Sequence, residues 1–326
     1  MHEPHLLEIV WNFHPNVIPG RSIPAWYGIM WALGFYIGFL IVNRMYKSEK
    51  VPAKWMDKTF IYTLAGGVIG ARLGHCIFYD WDYYGSHLIE ILYIWEGGLA
   101  SHGGAIGIIF TSWLLSRNVM QRSILWVLDR LVVATALAGG LIRMGNLFNH
   151  EIVGIPTGNS SGFKFLRHDI DDGAAMNITG KNNPADAYDA IANDPHFADI
   201  LAAIPNRYPA QLYEAICYFI IFGILFFLYW KTNSGRIRGF LLGTFFVTVF
   251  GCRFLIEFIK ENQTETFTET VNGVVQNSEG LNMGQWLSIP LVAFGLYLML
   301  RKIKKLKKGR KDYTGNAETD LAEENI

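Results

Sequence analysis

Polar side chains are concentrated in one short stretch of the chain, residues 142–154, which reads I-R-M-G-N-L-F-N-H-E-I-V-G. The stretch follows a long apolar run. If it continues a helix, Arg143, Asn146 and His150 share one face, because residues three to four positions apart are neighbours on a helix. Polar groups beside a hydrophobic span are costly unless they bind something. The alternative is a helix end that meets water, with Gly145 loosening the turn.

Other ionisable side chains also lie inside or beside apolar runs. Arg72, Arg143 and Arg253 are permanently charged donors, which suits them to phosphate oxygens. His102 lies in a Ser-His-Gly-Gly turn, where a neutral imidazole can accept a proton near pH 7; a histidine beside glycines is more often structural. Glu257 lies one helical turn after Arg253, so it either pairs with that arginine or takes part in the chemistry.

Several common site types are missing from the sequence. It has no Gly-x-Ser-x-Gly elbow, no phosphate-cradling Gly-Lys-Ser/Thr loop and no dinucleotide fingerprint. No spacing of histidines and carboxylates matches a metal-ligand pattern. We therefore expect no metal, no cofactor and no nucleic-acid partner. The three cysteines, Cys76, Cys217 and Cys252, lie in apolar runs and are interpreted as packing residues rather than as a disulfide framework.

The apolar residues that surround these groups form long blocks. They make up 51% of the chain, and the mean hydropathy is positive. A helix needs about 20 apolar residues to cross a bilayer, and the chain has about seven blocks near that length. Glycines four residues apart, such as Gly66 and Gly70, predict close helix packing. The fold class is therefore predicted to be an all-α integral membrane protein, with spans at about 25–42, 58–79, 98–115, 124–141, 210–230, 240–258 and 286–300.

The distribution of Lys and Arg predicts the orientation of these spans. Basic residues cluster after the first, third and fifth spans and at the start of the tail, whereas residues 80–97 contain none. Cytoplasmic loops carry the excess of Lys and Arg. The N-terminus is therefore predicted to be periplasmic, without a cleaved signal peptide, and the C-terminus cytoplasmic. The tail, 301–326, is basic and then acidic, and we expect it to be disordered.

With this topology, polar groups from several spans lie at one depth, in the outer half of the bilayer. A proton or ion path would instead distribute charges across the whole depth. The arrangement predicts a cavity that opens to the outer surface and the outer leaflet. Its polar groups are Tyr27, Arg72, His102, Arg143, Gln211, Glu214, Arg253 and Glu257.

These motifs resemble those of the bacterial prolipoprotein diacylglyceryl transferases. The family pattern, close to G-R-x-G-N-F-hydrophobic-N-x-E-x-x-G, is matched over residues 142–154 except at Ile142 and Leu147. Two features differ: Val249 stands where some members have Tyr, and segment 157–206 is longer than usual. Further matches are W-Y-G at 26–28, G-A-R-L-G at 70–74, W-E-G-G-L-A-S-H-G-G at 95–104, Y-P-A-Q-L-Y-E at 208–214, R-F-L-I-E-F at 253–258 and M-G-Q-W-L-S-I-P at 283–290.

The resemblance implies an enzyme of lipoprotein biosynthesis in the bacterial inner membrane. Such an enzyme moves the sn-1,2-diacylglyceryl group of phosphatidylglycerol to the lipobox cysteine thiol of a prolipoprotein. A thioether forms and glycerol phosphate leaves, which is the first step of lipoprotein maturation. The partners are then phosphatidylglycerol, prolipoprotein signal peptides and the surrounding membrane lipids. The substrate brings the nucleophile, and a free thiol has a pKa of about 8.5, so a nearby base helps.

The resemblance also implies roles for individual residues. His102 is the candidate base. Arg143 is the first candidate to bind the leaving phosphate, and Arg253 is the second. Asn146 is expected to orient the headgroup, and Glu257 to hold either Arg253 or the glycerol hydroxyls. The full set expected to bind substrate is Tyr27, Arg72, Asn146, Asn149, Glu151, Gly154, Gln211, Glu214 and Glu257.

The chain is expected to form one transmembrane catalytic domain, residues 1–300, followed by the tail. A polar insertion at about 142–207 forms its periplasmic head, and segment 157–206 is a candidate lid or docking surface. Two other functions are weighed against the transferase. A transporter or flippase for an anionic lipid would use the same arginines without chemistry. A membrane scaffold would use the polar cluster only to hold helices together.

Overall fold

Long helices dominate the computed structural model, which describes residues 8–18, 23–94, 97–261, 268–271, 274–277 and 280–308. The strands are β1 (Glu8–Trp11), β2 (Gly162–Phe165), β3 (Thr268–Val271) and β4 (Val274–Asn277). The helices are α1 (Trp26–Ser48), α2 (Ala53–Phe78), α3 (Trp81–Tyr84), α4 (Ser101–Leu115), α5 (Ile124–Phe148), α6 (Leu166–Asp169), α7 (Asp172–Thr179), α8 (Pro184–Asn193), α9 (Ala198–Ala203), α10 (Ala210–Lys231), α11 (Phe240–Ile256) and α12 (Met283–Lys308).

Each predicted span coincides with a helix, and the prediction of a helical membrane protein is confirmed. Within the described residues, five helices are long and apolar enough to cross a membrane: α1, α2, α5, α10 and the Met283–Arg301 part of α12. Helices α4 and α11 are shorter, at 15 and 17 residues. The count of about seven spans and the orientation of the termini stay predictions. Helix α12 continues to Lys308, into the segment expected to be a disordered tail, and residues 309–326 lie outside the described residues.

The chain forms two compact units, each built from separate segments. The first unit contains Met1–Gly38, Thr135–Phe227 and Gly243–Tyr297. The second contains Phe39–Ala134, Leu228–Leu242 and Leu298–Ile326.

The first unit carries a small folded head where the sequence indicated only a polar insertion. Strand β1 pairs in parallel with β2, and α6 to α9 follow. Local signals explain the helices: the Asp171 side chain caps α7 by accepting from the Ala174 N–H, and Asn183 caps α8 by accepting from the Asp186 N–H. The apolar faces of these helices share one core, formed by Leu166, Ala175, Ala187, Tyr188, Ile191 and Ile204.

The second unit is organised by the close approach of α2 and α4. A side chain on Gly74 would place its Cβ 2.7 Å from the Cα of Gly103, and one on Gly66 would lie 2.7 Å from the carbonyl oxygen of Gly107. No side chain fits between backbones at this separation, so the predicted role of the spaced glycines in packing is confirmed.

Charged side chains at the start of α5 join the ends of other helices in the second unit. The buried carboxylate of Asp129 accepts from the backbone N–H groups of Gly239 and Leu242, at 2.6 and 2.8 Å, and so caps α11. Arg130 forms a salt bridge with Glu49, with 2.8 Å between Nη2 and Oε1. The side chains of Asp129 and Arg130 therefore bind other parts of the second unit.

Candidate active site

A buried ion pair lies at the centre of the first unit. Arg143, in the last turns of α5, forms a salt bridge through Nε with Glu214, in the second turn of α10. Glu214 has no solvent exposure. Tyr218 follows one turn later on α10 and lies beside Arg143, and Gly139 leaves room for its ring. Because charges are costly among apolar helices, each member of this pair needs the other.

Hydrogen bonds connect this ion pair to the surface. The Arg143 guanidinium donates to Asn146 Oδ1 at 3.1 Å, and Asn146 Nδ2 donates to the carboxylate of Glu151 at 3.2 Å. Asn149 Nδ2 donates to the other oxygen of Glu151, also at 3.2 Å. Asn146 is buried and Glu151 is exposed. The structure therefore joins four of the residues expected in the 142–154 stretch into one polar chain that begins at Glu214.

His150 does not belong to this chain, contrary to the expectation that it shares a helix face with Arg143 and Asn146. Helix α5 ends at Phe148, and His150 adopts a left-handed conformation with φ of 57°. Its ring is 2% exposed, and Nε2 donates to the carbonyl oxygen of Phe13 at 2.9 Å. Burial lowers the pKa of His150 to about 4. His150 therefore stabilises the turn after the helix.

Tyr27 packs directly against α5. A Cβ on Gly145 would lie 2.8 Å from the Cδ2 atom of Tyr27, so only glycine allows this approach. Tyr27 also lies close enough to the Arg143 guanidinium to interact with it electrostatically. Gly145 thus brings the tyrosine ring to the ion pair, whereas the sequence indicated only a loosened turn.

The end of α11 supplies further charged groups. Within the described part of the chain, the Arg253 side chain has no hydrogen bond or ion pair. Glu257, one possible partner, instead contacts Lys260, with 3.5 Å between Oε2 and Nζ. Its carboxylate lies against Gly284, where a Cβ would be 2.7 Å from Cδ of Glu257. The proposed pairing of Arg253 with Glu257 is therefore not found.

Lys260 is a member of the site that the sequence did not reveal. It is 5% exposed, and the charges of Glu214, Glu257, Arg143 and Arg253 all act on it. Burial lowers the pKa of Lys260, and the two carboxylates oppose that effect. The sequence suggested a loop lysine, because its position after a span gives no sign of burial. Together these residues place three cations against two carboxylates, which suits an anionic ligand.

Gln211 begins the same face of α10 that carries Glu214. It has no solvent exposure, and neither its Nε2 nor its Oε1 has a hydrogen-bond partner among the residues the structure describes. Glu214 Oε2 forms the ion pair with Arg143, whereas Glu214 Oε1 has no hydrogen-bond partner among the described residues. Buried polar groups in folded proteins are nearly always bonded, so this pair of residues needs an explanation.

Gly154 marks a junction of backbones. Its N–H donates to the carbonyl oxygen of Tyr208 at 2.8 Å, and a Cβ would lie 2.6 Å from the carbonyl oxygen of Ile259. Beside it, Arg207 forms a salt bridge with Asp169 at 2.7 Å and another with Glu261 at 3.3 Å. These contacts connect the head to the segment after α11.

The second unit holds the other two predicted residues, Arg72 and His102. Arg72 is buried and donates to the backbone carbonyls of Glu90, Ile91 and Gly97 at 2.7–2.9 Å. Its donors therefore hold the backbone at Glu90, Ile91 and Gly97, while the first two residues of the 95–104 motif lie outside the described residues. His102 is exposed in the first turn of α4 and lines an open cavity of about 300 Å³ with His75, Tyr79, Leu99, Ala100 and Ser101.

A charged centre held by apolar helices of membrane-spanning length defines a helical membrane protein with a buried polar site. Residues 18–301 match the family model of prolipoprotein diacylglyceryl transferase. The chain is 40% identical to the phosphatidylglycerol–prolipoprotein diacylglyceryl transferases of Chloroherpeton thalassium and Porphyromonas gingivalis, over 91% of this chain and 95% of each relative. The enzyme of that name from Tolumonas auensis is 38% identical over 91% of this chain and 98% of its own. The chain belongs to the prolipoprotein diacylglyceryl transferase family, which confirms the resemblance and makes the protein a transferase.

Proposed function

We propose that the protein transfers the sn-1,2-diacylglyceryl group of phosphatidylglycerol to the lipobox cysteine of prolipoproteins. The observation that carries this proposal is the excess of cations at the buried centre, with Arg253 unpaired within the described chain. A phosphate that becomes a leaving group gains negative charge, and preorganised cations stabilise it. The relatives' names support the same lipid and protein substrates.

The reaction is a displacement at carbon. The cysteine sulfur forms a bond to the glyceryl carbon, the carbon–oxygen bond to phosphate breaks, and glycerol phosphate departs with the electron pair. The thiol proton must go to a base, and His102 is the proposed acceptor, because its exposed imidazole lines a cavity. Ser101 and Tyr79, at the same cavity, offer hydroxyl groups near that imidazole.

The two arginines are assigned different roles. Arg143 already compensates the charge of Glu214, whereas Arg253 has no partner in the described chain. We therefore place Arg253 on the leaving phosphate and assign Arg143 to hold the ion pair and the chain through Asn146 and Glu151. This reverses the order expected from the sequence. Lys260 adds positive charge at the same centre.

The remaining predicted residues take supporting roles. Tyr27 packs at the ion pair, and Gly154 joins the head to the region after α11. Arg72 holds the backbone at Glu90, Ile91 and Gly97. Asn149 holds Glu151 at the surface. The active site is proposed to face the outer leaflet of the bacterial inner membrane, within the catalytic domain 1–300. The head within 142–207 is proposed to receive the preprotein.

A transfer assay with purified protein tests the proposal. The protein in lipid nanodiscs is incubated with phosphatidylglycerol and a lipobox peptide, and the peptide is followed by mass spectrometry. We expect a diacylglyceryl mass gain that disappears with a serine peptide and with the His102→Gln variant. Near-normal turnover of His102→Gln would refute the base assignment. No mass gain from folded wild type would favour the flippase, and a liposome flip assay would then separate that function from a scaffold.

A further inference from the structure

The buried side chain of Gln211 has unused hydrogen-bonding capacity. Its amide nitrogen and oxygen are both buried, and neither is bonded by a described residue. Other buried amides of the same unit are bonded. Asn146 bonds to Arg143 and Glu151, and Gln285 bonds to Asn282 and Phe254. Because an unbonded buried amide is costly, its presence indicates a partner that comes from outside the chain.

The groups around Gln211 restrict what that partner can be. Glu214 lies three residues later, on the same face of α10; its Oε2 contacts Arg143, and its Oε1 has no hydrogen-bond partner among the described residues. One helical turn therefore presents two oxygens that need donors, Gln211 Oε1 and Glu214 Oε1, and one NH₂ group that needs an acceptor. A phosphate would satisfy only the NH₂ group, and an ammonium ion would satisfy only the oxygens.

A polyol satisfies both kinds of group, because each hydroxyl donates one hydrogen bond and also accepts. A peptide unit brings one donor and one acceptor, which leaves one of the two oxygens unbonded. The cations that suit a phosphate lie beside Glu214, so a ligand that carries hydroxyls a few bonds from a phosphate matches the whole arrangement.

We propose that Gln211, together with Glu214, binds the hydroxyls of the glycerol headgroup of the donor lipid and makes the enzyme selective for a polyol headgroup. This inference rests on the proposed function. The headgroup leaves with the phosphate, so these contacts hold the leaving group while the carbon–oxygen bond breaks. Gln211 is then a specificity-determining residue of the transfer.

The test compares two donor lipids with equal acyl chains: phosphatidylglycerol, and phosphatidylpropanol, whose headgroup has no free hydroxyl. For wild type we expect kcat/KM to favour phosphatidylglycerol on the order of 10- to 100-fold. The Gln211→Leu variant, which is close in size but cannot hydrogen-bond, should reduce this preference to within about threefold. Its Tm should not fall, because the substitution removes an unbonded buried amide. The Gln211→Met variant provides a second replacement of similar length.

Gln285→Leu is the matched control. Gln285 is a glutamine equally hidden from solvent, but its side chain accepts from the Asn282 N–H at 3.0 Å and donates to the Phe254 carbonyl oxygen at 3.3 Å. Its loss should lower the Tm and leave the ratio of the two lipids unchanged. Substitutions of Gln211 and Gln285 are thus expected to differ both in the change of Tm and in the change of the lipid preference.

Other outcomes would overturn the inference. An unchanged lipid ratio with a raised Tm would mean that Gln211 holds only water. An unchanged lipid ratio with a higher KM for the peptide would mean that the amide binds the preprotein backbone. If wild type transferred nothing from either lipid, the proposed function would fail. Competition binding of the two lipids to wild type and Gln211→Leu in nanodiscs would still decide the role of Gln211.

Discussion

At the scale of single residues, the two arginines of the first unit are charged alike but placed differently. Arg143 is committed to Glu214, and Arg253 has no bond to any described group. Removing one partner of a buried ion pair typically costs about 3–5 kcal/mol, because the other charge stays buried and uncompensated. Removing an unpaired cation has no such cost. Stability and activity should therefore respond differently at the two positions.

We expect Arg253→Ala to lower kcat/KM by about 10²–10³-fold with little change in Tm, because it removes a phosphate ligand but no hydrogen bond or ion pair within the described chain. Arg143→Ala should lower both activity and Tm. The double variant Arg143→Ala with Glu214→Gln should recover much of the Tm without recovering activity. Thermal unfolding and transfer kinetics on the same preparations check this prediction. A large loss of Tm in Arg253→Ala would show that Arg253 is a structural residue.

His150 makes the stability of the first unit depend on pH. Its pKa is about 4 in the fold, against about 6.5 when exposed, so the unfolded chain binds a proton more readily between these values. Stability should therefore be complete above pH 6.5 and decrease as the pH falls to 4, by about 3 kcal/mol. The loss measures the cost of placing a charge in the buried turn.

The His150→Gln variant should flatten this part of the curve of Tm against pH, because a glutamine keeps a donor for the Phe13 carbonyl but does not titrate. Replacement of the exposed His196 by glutamine is the control and should leave the curve as in wild type. The assignment to His150 would be refuted if both variants kept the wild-type slope between pH 6.5 and 4.

At the scale of elements, the packing of α2 on α4 depends on which glycine faces the partner helix. A Cβ on Gly66 would lie 2.7 Å from the carbonyl oxygen of Gly107, whereas one on the adjacent Gly67 would lie 3.6 Å from the end of the Ile108 side chain. The first position has no room for a methyl group, and the second allows an ordinary contact. Alanine substitutions at Gly66 and Gly67 should therefore have different effects on stability.

Gly66→Ala is expected to destabilise the second unit by about 1–3 kcal/mol, because the helix backbones must separate. Gly67→Ala should be neutral or stabilising by up to about 1 kcal/mol, since alanine favours a helix over glycine. Unfolding in detergent measures both changes. Equal effects of the two substitutions would contradict the proposed contact between backbones.

The elements also show what the sequence could predict. The apolar blocks predicted the position of every long helix. A helix that crosses a bilayer needs about 20 apolar residues, whichever other helices it packs against. The end of α5 was harder to predict. Arg143 and Asn146 lie in the helix with Glu214 and Glu151 as their partners. A local sequence pattern does not show such partners. The left-handed turn at His150 depends on the Phe13 carbonyl, more than 130 residues away in sequence.

The candidate site also contains residues that the sequence could predict and residues that it could not. Residue types made Arg143, Asn146 and Glu214 candidates, since charged and amide side chains beside apolar blocks are rare without a function. The residue type of Arg72 did not reveal that its N–H groups donate to the backbone carbonyls of Glu90, Ile91 and Gly97. Lys260 was missed because burial is a property of the fold. The apolar pattern did not predict the fold of the head either, since two of its six core residues are alanines, Ala175 and Ala187.

At the scale of the whole molecule, the proposed reaction requires a particular orientation. The donor lipid and the exported cysteine meet at the outer leaflet, so the head that follows α5 must be periplasmic and the loop between α1 and α2 must be cytoplasmic. The lysines and arginines in and beside that loop favour this orientation; they are Arg44, Lys47, Lys50, Lys54 and Lys58. Helices of sufficient length alone are compatible with either direction.

Cysteine labelling in intact cells tests the orientation. Asp199, in the head, and Lys54, in the first turn of α2, are both exposed, and neither belongs to the candidate site. We expect Asp199→Cys to react with a membrane-impermeant maleimide in intact cells, and Lys54→Cys to react only after permeabilisation. The unsubstituted protein, with its three native cysteines in apolar segments, gives the background. The reverse pattern would place the charged centre at the cytoplasmic leaflet, where an exported cysteine could not reach it, and the proposed transfer would then be excluded.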